Sequence, residues 1–321
     1  MDRIKWITLW SLLGILACGD DSGGGTLTVA IEAEDSITSG LDPGAEVENI
    51  QDGWQVRFES YIAVLGDIHL NFATDATTEA HAEQLYAVDL TSVPQNGLAL
   101  WTVPALKAGD WNFSYALGDG SLAEPHASVS EEAFAQISEQ DLTYMITGTL
   151  SKTDGESCPP NSLAEPGSAT PVGTNAGGDH CYTNAAVKFS ISLNAETHYT
   201  FCGLDDAKSF NMPTAGTQHV AITIHGDHMF FNGFPEGDEG GTLRLAQWLA
   251  DCDLNLDGQV DMDELAQIAP ADLSELDDRY QLGGSSIELD TMQDYVKAQL
   301  KTQGHIQGEG ECAIDGQSHH H

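Results

Sequence analysis

Basic side chains are scarce in this chain. Eleven Lys plus Arg stand against 50 Asp plus Glu, a formal net charge of −39. A field of that sign repels phosphate backbones and excludes nucleic acid as a partner. It also excludes docking to anionic headgroups through a basic patch. The apolar stretch Trp6–Ala17 has 12 residues, short of the roughly 20 that a membrane-spanning helix takes. Familiar catalytic signatures are missing too: there is no GxSxG elbow, no P-loop, no GxGxxG before a helix, no HExxH and no paired CxxC. Carboxylates are so frequent that no Asp/Glu pair is informative without geometry. What the chain does have is 41% hydrophobic residues, enough for a packed core. Its 321 residues allow one large or two moderate domains.

Arg3 and Lys5 precede the apolar stretch, and a basic start before a short apolar run reads as a secretory signal. The run ends Ile15-Leu16-Ala17-Cys18, followed by Gly19, Asp20, Asp21 and Ser22. This resembles the lipobox of bacterial lipoproteins. The resemblance implies a signal peptide over 1–17, lipidation of Cys18, a flexible tether over 18–25 and membrane attachment through the lipid. Gly19 in place of Asp after the cysteine resembles lipoproteins sorted to the outer membrane, on its periplasmic face or at the cell surface. Export makes the remaining cysteines candidates for disulfides. Cys158, Cys181, Cys202, Cys252 and Cys312 are odd in number, so one stays free or bridges molecules. The expected pairing joins Cys252 to Cys312 and two of the other three to each other.

Two periodicities divide the mature chain. Up to about Phe234 the apolar residues alternate: Trp54, Val56 and Phe58; Ile68, Leu70 and Phe72; Val187, Phe189, Ile191 and Leu193; Val220, Ile222 and Ile224. Period two with one apolar face predicts half-buried strands. Many such strands, separated by Gly-, Asp- and Asn-rich breaks, predict an antiparallel β-sandwich of immunoglobulin or jelly-roll type over 26–234. Within it, 151–179 reads as a long loop pinned by Cys158, and Ser130–Ser138 as a short helix. Trp54, Trp101 and Trp111 read as core rather than as a sugar-binding face. After Pro235 the period changes. Leu245, Trp248, Leu249 and Cys252 fall at i, i+3, i+4 and i+7, and Leu289, Met292, Val296 and Leu300 repeat a helical spacing. This predicts a small all-α domain of about four helices over 240–303, followed by a Gly/His tail over 304–321.

The clearest chemistry lies at 253–264. Asp253, Asn255 and Asp257 occupy positions 1, 3 and 5 of a twelve-residue loop, and Gly258 at 6 permits the sharp turn. Gln259 offers its carbonyl at 7, Asp261 sits at 9, and Glu264 at 12 supplies two oxygens. Those oxygens are what a seven-coordinate Ca²⁺ requires. The pattern resembles an EF-hand, which implies a partner loop. Aligning Ile287 with Val260 makes 280–291 that partner, but Tyr280 and Thr291 at its ends offer no carboxylate. It reads as a degenerate loop that packs and binds nothing. A dockerin would need two intact tandem loops. The favoured reading is a lipid-anchored, extracytoplasmic calcium-binding module with a binding or structural role; neither catalytic activity nor its protein or small-molecule partner is legible.

The alternative rests on histidines. Ile224-His225-Gly226-Asp227-His228 closes the strand region, with Gly226 interrupting the alternation so that His225 and His228 converge. A second Gly-Asp-His ends at His180, and His305 lies in the glycine-rich tail. These imidazoles with Asp227 fit Zn²⁺ or Cu²⁺, for metal binding or metal-dependent hydrolysis. A Cys252–Cys312 bond would carry His305 toward His228. His69, His198 and His219 read as surface residues, and His319–His321 as a tail of no bearing.

Overall fold

The computed structural model describes residues 24–204, 210–234 and 243–314. The signal-like segment, Cys18, the break at 236–241 and His319–His321 lie outside them.

Alternation produces strands where it is cleanest. Gly25–Ala33, Tyr144–Ser151 and Ala186–Leu193 each bury every second side chain. The larger sheet runs in the order Gln259–Val260, Ala186–Leu193, Tyr144–Ser151, Gln55–Phe72, Gly109–Leu117, Thr197–Gly203, Glu311–Ile314. Asp75–Asp89 lies on the other edge of Gln55–Phe72. The long strand Gln55–Phe72 pairs with Tyr144–Ser151 through its first half and with Gly109–Leu117 through its second. Between the halves, register shifts at Gly66 mark a bulge, which bends a strand and raises its twist. Gly66 has φ 148°, and a Cβ there would strike the Gln84 carbonyl; only glycine fits. The sheet therefore curls into a half-barrel. A second sheet orders Gly304–Ile306, Thr217–Ile224, Gly25–Ala33 and Leu98–Leu106, with the middle pair parallel.

The half-barrel is filled by the C-terminal segment. Four buried tyrosines reach it from different strands. Tyr61 Oη donates to Gln303 Oε1 at 2.5 Å, Tyr144 to the Leu300 carbonyl at 3.2 Å, Tyr199 to the Lys301 carbonyl at 3.0 Å and Tyr115 to the His305 carbonyl at 3.2 Å. Burial raises all four phenols above their ordinary range, so they stay neutral donors. The opposite face buries Ile62, Val64, Leu85 and Ala87 against Ile137. Ile137 belongs to the helix Glu131–Glu139, which is capped by Ser130 and lies where the sequence places one.

Two expectations about the architecture fail. The described residues form no β-sandwich followed by a distinct all-α EF-hand domain. The C-terminal third holds the helices Gln247–Asp251, Met262–Leu265, Ser274–Arg279 and Met292–Leu300, of 5, 4, 6 and 9 residues. Helices this short are marginal alone and depend on tertiary burial. Trp248, Leu249, Tyr295 and Val296 join the same core as Tyr61, Phe189 and Ile222. The helical period was real; it reports that a face is buried, not what buries it. Nor do the described residues form the anticipated loop pair. Val260 pairs with Phe189, and Gln259 with Lys188, in a parallel register on the strand Ala186–Leu193. Ile287 takes no part, and Thr291 instead caps the last helix in a reciprocal box with Asp294.

The disulfides are Cys158–Cys181 and Cys202–Cys312, and Cys252 is buried and free. The expected Cys252–Cys312 bond is ruled out by sheet pairing. Gly203 lies opposite Glu311, which sets Cys202 beside Cys312 while Cys252 sits in the core. Two disulfides are consistent with an oxidising, extracytoplasmic compartment.

Candidate metal centres

The acidic loop is built by its own side chains. Asp257 N–H donates to Asp253 Oδ1 at 3.1 Å and to Asn255 Oδ1 at 2.8 Å, and Gly258 N–H donates to Asp253 Oδ2 at 3.0 Å. Gln259 N–H donates to Asp257 Oδ1 at 2.9 Å. Leu256 and Gly258 both take positive φ, 58° and 80°, the sharp turn that brings positions 1, 3 and 5 together. Glu264 closes the ring: Oε1 accepts from Leu254 N–H at 3.0 Å and Oε2 from Asp261 N–H at 3.2 Å. Asp261 caps the outgoing helix through Asp263 and Glu264 N–H. Each side-chain oxygen has two lone pairs, so Asp253 Oδ1, Asn255 Oδ1 and Asp257 Oδ1, with one amide bond apiece, keep room for a cation.

Electrostatics make the loop expensive without one. Asp253 is fully buried. Burial raises its pKa, with Asp257 adding to the rise. Glu264 is pushed up to about 7, first by burial and then by Asp253. Two braces that the sequence did not announce hold the loop in place. Asn184 Nδ2 donates to Asp253 Oδ2 at 2.9 Å, and Glu165 N–H donates to the Leu254 carbonyl at 2.7 Å. Glu165 comes from the long loop and Asn184 from the turn before the strand Ala186–Leu193, both beyond the reach of any local motif.

The second centre lies where the strand Thr217–Ile224 ends. Gly226 begins a buried 3₁₀ turn, Gly226–Phe230, in which every residue is buried. A Cβ on Gly226 would meet Ile37. The turn brings His225, Asp227 and His228 together, one ligand atom of each within 4.8 Å of the others. Strand Gly304–Ile306 pairs Thr223 with His305. The His305 ring then lies 4.3 Å from that of His225 and 5.3 Å from that of His228. His180 does not join them. It is exposed on the short strand His180–Thr183, and neighbouring Asp179 is engaged by Asn161 and Asn175 within the loop. His69 is tied to Asp67 at 3.0 Å on the surface.

Partners around the histidine centre come from distant parts of the chain. Glu34 Oε1 lies 3.2 Å from His225 Nδ1, and Glu34's own pKa is raised chiefly by burial. Gly308 offers its carbonyl to His225 Nε2 at 3.1 Å. Thr302 Oγ1 lies 2.9 Å from His228 Nδ1. Arg244 grips Asp227 Oδ2 through Nε at 2.6 Å and Nη2 at 2.5 Å. Burial, before any neighbouring charge, lowers the pKa of His228 and of His305 well below the ordinary imidazole value, so both are neutral. Asp227 Oδ1 and His305 Nδ1 are buried without a hydrogen-bond partner, each an omission worth about 1–3 kcal/mol if nothing fills it. Sequence reasoning missed Glu34, Thr302 and Arg244, because no spacing links them to the histidines.

No family model, curated protein or solved structure matches this chain.

Proposed function

We propose that this is an exported, lipid-anchored calcium-binding protein, in which loop 253–264 holds one Ca²⁺ and uses it to clamp the C-terminal helices to the half-barrel. The observation that carries the reading is the burial of Asp253 and Glu264 at the base of a loop whose middle is hydrogen-bonded to the barrel edge. Asp253, Asn255, Asp257, Asp261 and Glu264 supply side-chain oxygens, and Gln259 its carbonyl. Two positive charges among four ligand carboxylates relieve their repulsion and the burial penalty together. The barrel replaces the partner loop, so one site is self-sufficient. Lipidation at Cys18, on the bilayer of the outer membrane, follows from the lipobox resemblance. The two disulfides support an oxidising compartment, where Ca²⁺ modules commonly work at a Kd of about 10⁻⁴–10⁻³ M.

Scanning calorimetry with and without EGTA tests this at low salt. Calcium at ten to a hundred times Kd contributes roughly 1.4–2.7 kcal/mol, a rise of roughly 2–4 °C for a chain of this size. Asp253→Asn and Glu264→Gln should abolish the rise. An unchanged melting temperature in the unsubstituted protein rejects the reading.

A further inference from the structure

The histidine centre is unexplained by a calcium-loaded loop. We propose that His225, Asp227 and His228 form a separate binding site for one divalent transition-metal ion of the zinc–copper class, with His305 as a fourth ligand.

Hydrogen bonding around the rings sets their lone pairs. Thr302 Oγ1 donates its proton to the Gln299 carbonyl at 2.8 Å, so toward His228 it accepts, and His228 Nδ1 carries the hydrogen. His228 Nε2 is then left with a free lone pair. This is the arrangement by which an outer hydroxyl fixes the tautomer of a metal-binding imidazole. The Gly308 carbonyl can only accept, so His225 Nε2 donates to it. His225 Nδ1 faces the Glu34 carboxylate at 3.2 Å, a meeting of two lone pairs unless a proton or a cation lies between them.

The remaining ligand atoms have no other occupation. Arg244 satisfies Asp227 through Oδ2 alone, while Oδ1 is buried and unpartnered. His305 is 8% exposed, and its Nδ1 is likewise without a partner. Ligand atoms of His225, Asp227 and His228 already lie within 4.8 Å of one another. Metal bonds of about 2.0–2.2 Å require side-chain rotation to close them further. A set of imidazoles with one carboxylate selects borderline ions such as Zn²⁺ and Cu²⁺. The all-oxygen loop at 253–264 selects Ca²⁺, so the two centres sort ions by donor type.

The test uses the full chain with His319→Ala, His320→Ala and His321→Ala, which removes the terminal imidazoles, in saturating calcium throughout. Equilibrium dialysis against Zn²⁺, and separately Cu²⁺, followed by elemental analysis should find one ion per chain retained at micromolar free metal. His225→Ala or His228→Ala should weaken retention by more than a hundredfold, and Thr302→Val by about 10–100-fold. Circular dichroism checks that the variants fold. Should they not, electron paramagnetic resonance of the Cu²⁺-loaded parent decides, with nitrogen hyperfine structure from at least two imidazoles expected. The proposal is overturned by a parent that retains neither ion, by folded His225→Ala or His228→Ala protein that retains as much as the parent, or by copper spectra with oxygen ligation alone.

Discussion

Val260 and Phe189 are neighbours in a parallel pairing, so the centre of the acidic loop is an added strand on the barrel edge. The Lys188 N–H donates to the Gly258 carbonyl at 2.8 Å, which ties the loop's turn to the same strand. The loop is thereby coupled to the sheet through main-chain hydrogen bonds and one buried side chain, so the ion proposed for it would be coupled too.

Val260→Ala tests that coupling. Val260 is fully buried, and two methyl groups at about 0.8 kcal/mol each, with a small cavity term, amount to about 2 kcal/mol. The urea midpoint should fall accordingly, and calcium affinity should fall with it. A loop that kept its affinity while the protein lost stability would show that barrel and loop are independent.

The tyrosines that hold the C-terminal segment give a second expectation. Tyr144→Phe and Tyr199→Phe each remove one phenolic donor from the Leu300 and Lys301 carbonyls. Each should cost about 1 kcal/mol in chemical denaturation, the two sites being comparable. Wild-type stability in both variants would mean that the segment is held by apolar contact alone.

Those phenols also fix the alkaline limit. Burial raises Tyr61, Tyr115, Tyr144, Tyr199 and Tyr295 above the ordinary value of 10.0. Above that value the unfolded chain releases these protons and the folded one keeps them, so their contribution is complete below pH 10 and is lost as pH rises beyond it. Phenolate absorbance near 295 nm should therefore appear together with loss of circular dichroism. Phenolate formation from these residues in protein that remains folded contradicts the assignment.

Disulfide removal should rank by loop length. Cys202 and Cys312 are 110 residues apart and Cys158 and Cys181 are 23 apart. In the chain-entropy account a closed loop of about 100 residues is worth about 4.7 kcal/mol and one of about 15 is worth about 3. Cys202→Ala with Cys312→Ala should destabilise more than Cys158→Ala with Cys181→Ala, measured by guanidinium denaturation. The reverse order would place the dominant restraint in the 151–179 loop.

Local chemistry was legible wherever its residues are consecutive. Asp253 to Glu264 lines up its acidic side chains in one twelve-residue stretch that folds into a tight turn, and His225, Asp227 and His228 lie within four residues, so one turn suffices to gather them. Strand alternation and the Ser130 cap were equally readable, because period and capping act over a few residues. Which surface each piece meets was not. Val260 offers an apolar β-edge, and nothing nearby in sequence says that Phe189, rather than Ile287, receives it. The helical stripe at Leu245, Trp248 and Leu249 announces burial without naming the sheet beneath it. His305 reaches the histidines by pairing with Thr223 in the second sheet, not by the disulfide that the sequence suggested. Glu34, Thr302 and Arg244 enter from separate elements. The sequence alone determines which oxygens and imidazoles each short segment presents, because side-chain type and turn geometry are local. Only the tertiary structure decides what each segment is pressed against, because that follows from the cheapest joint burial of all the apolar faces at once.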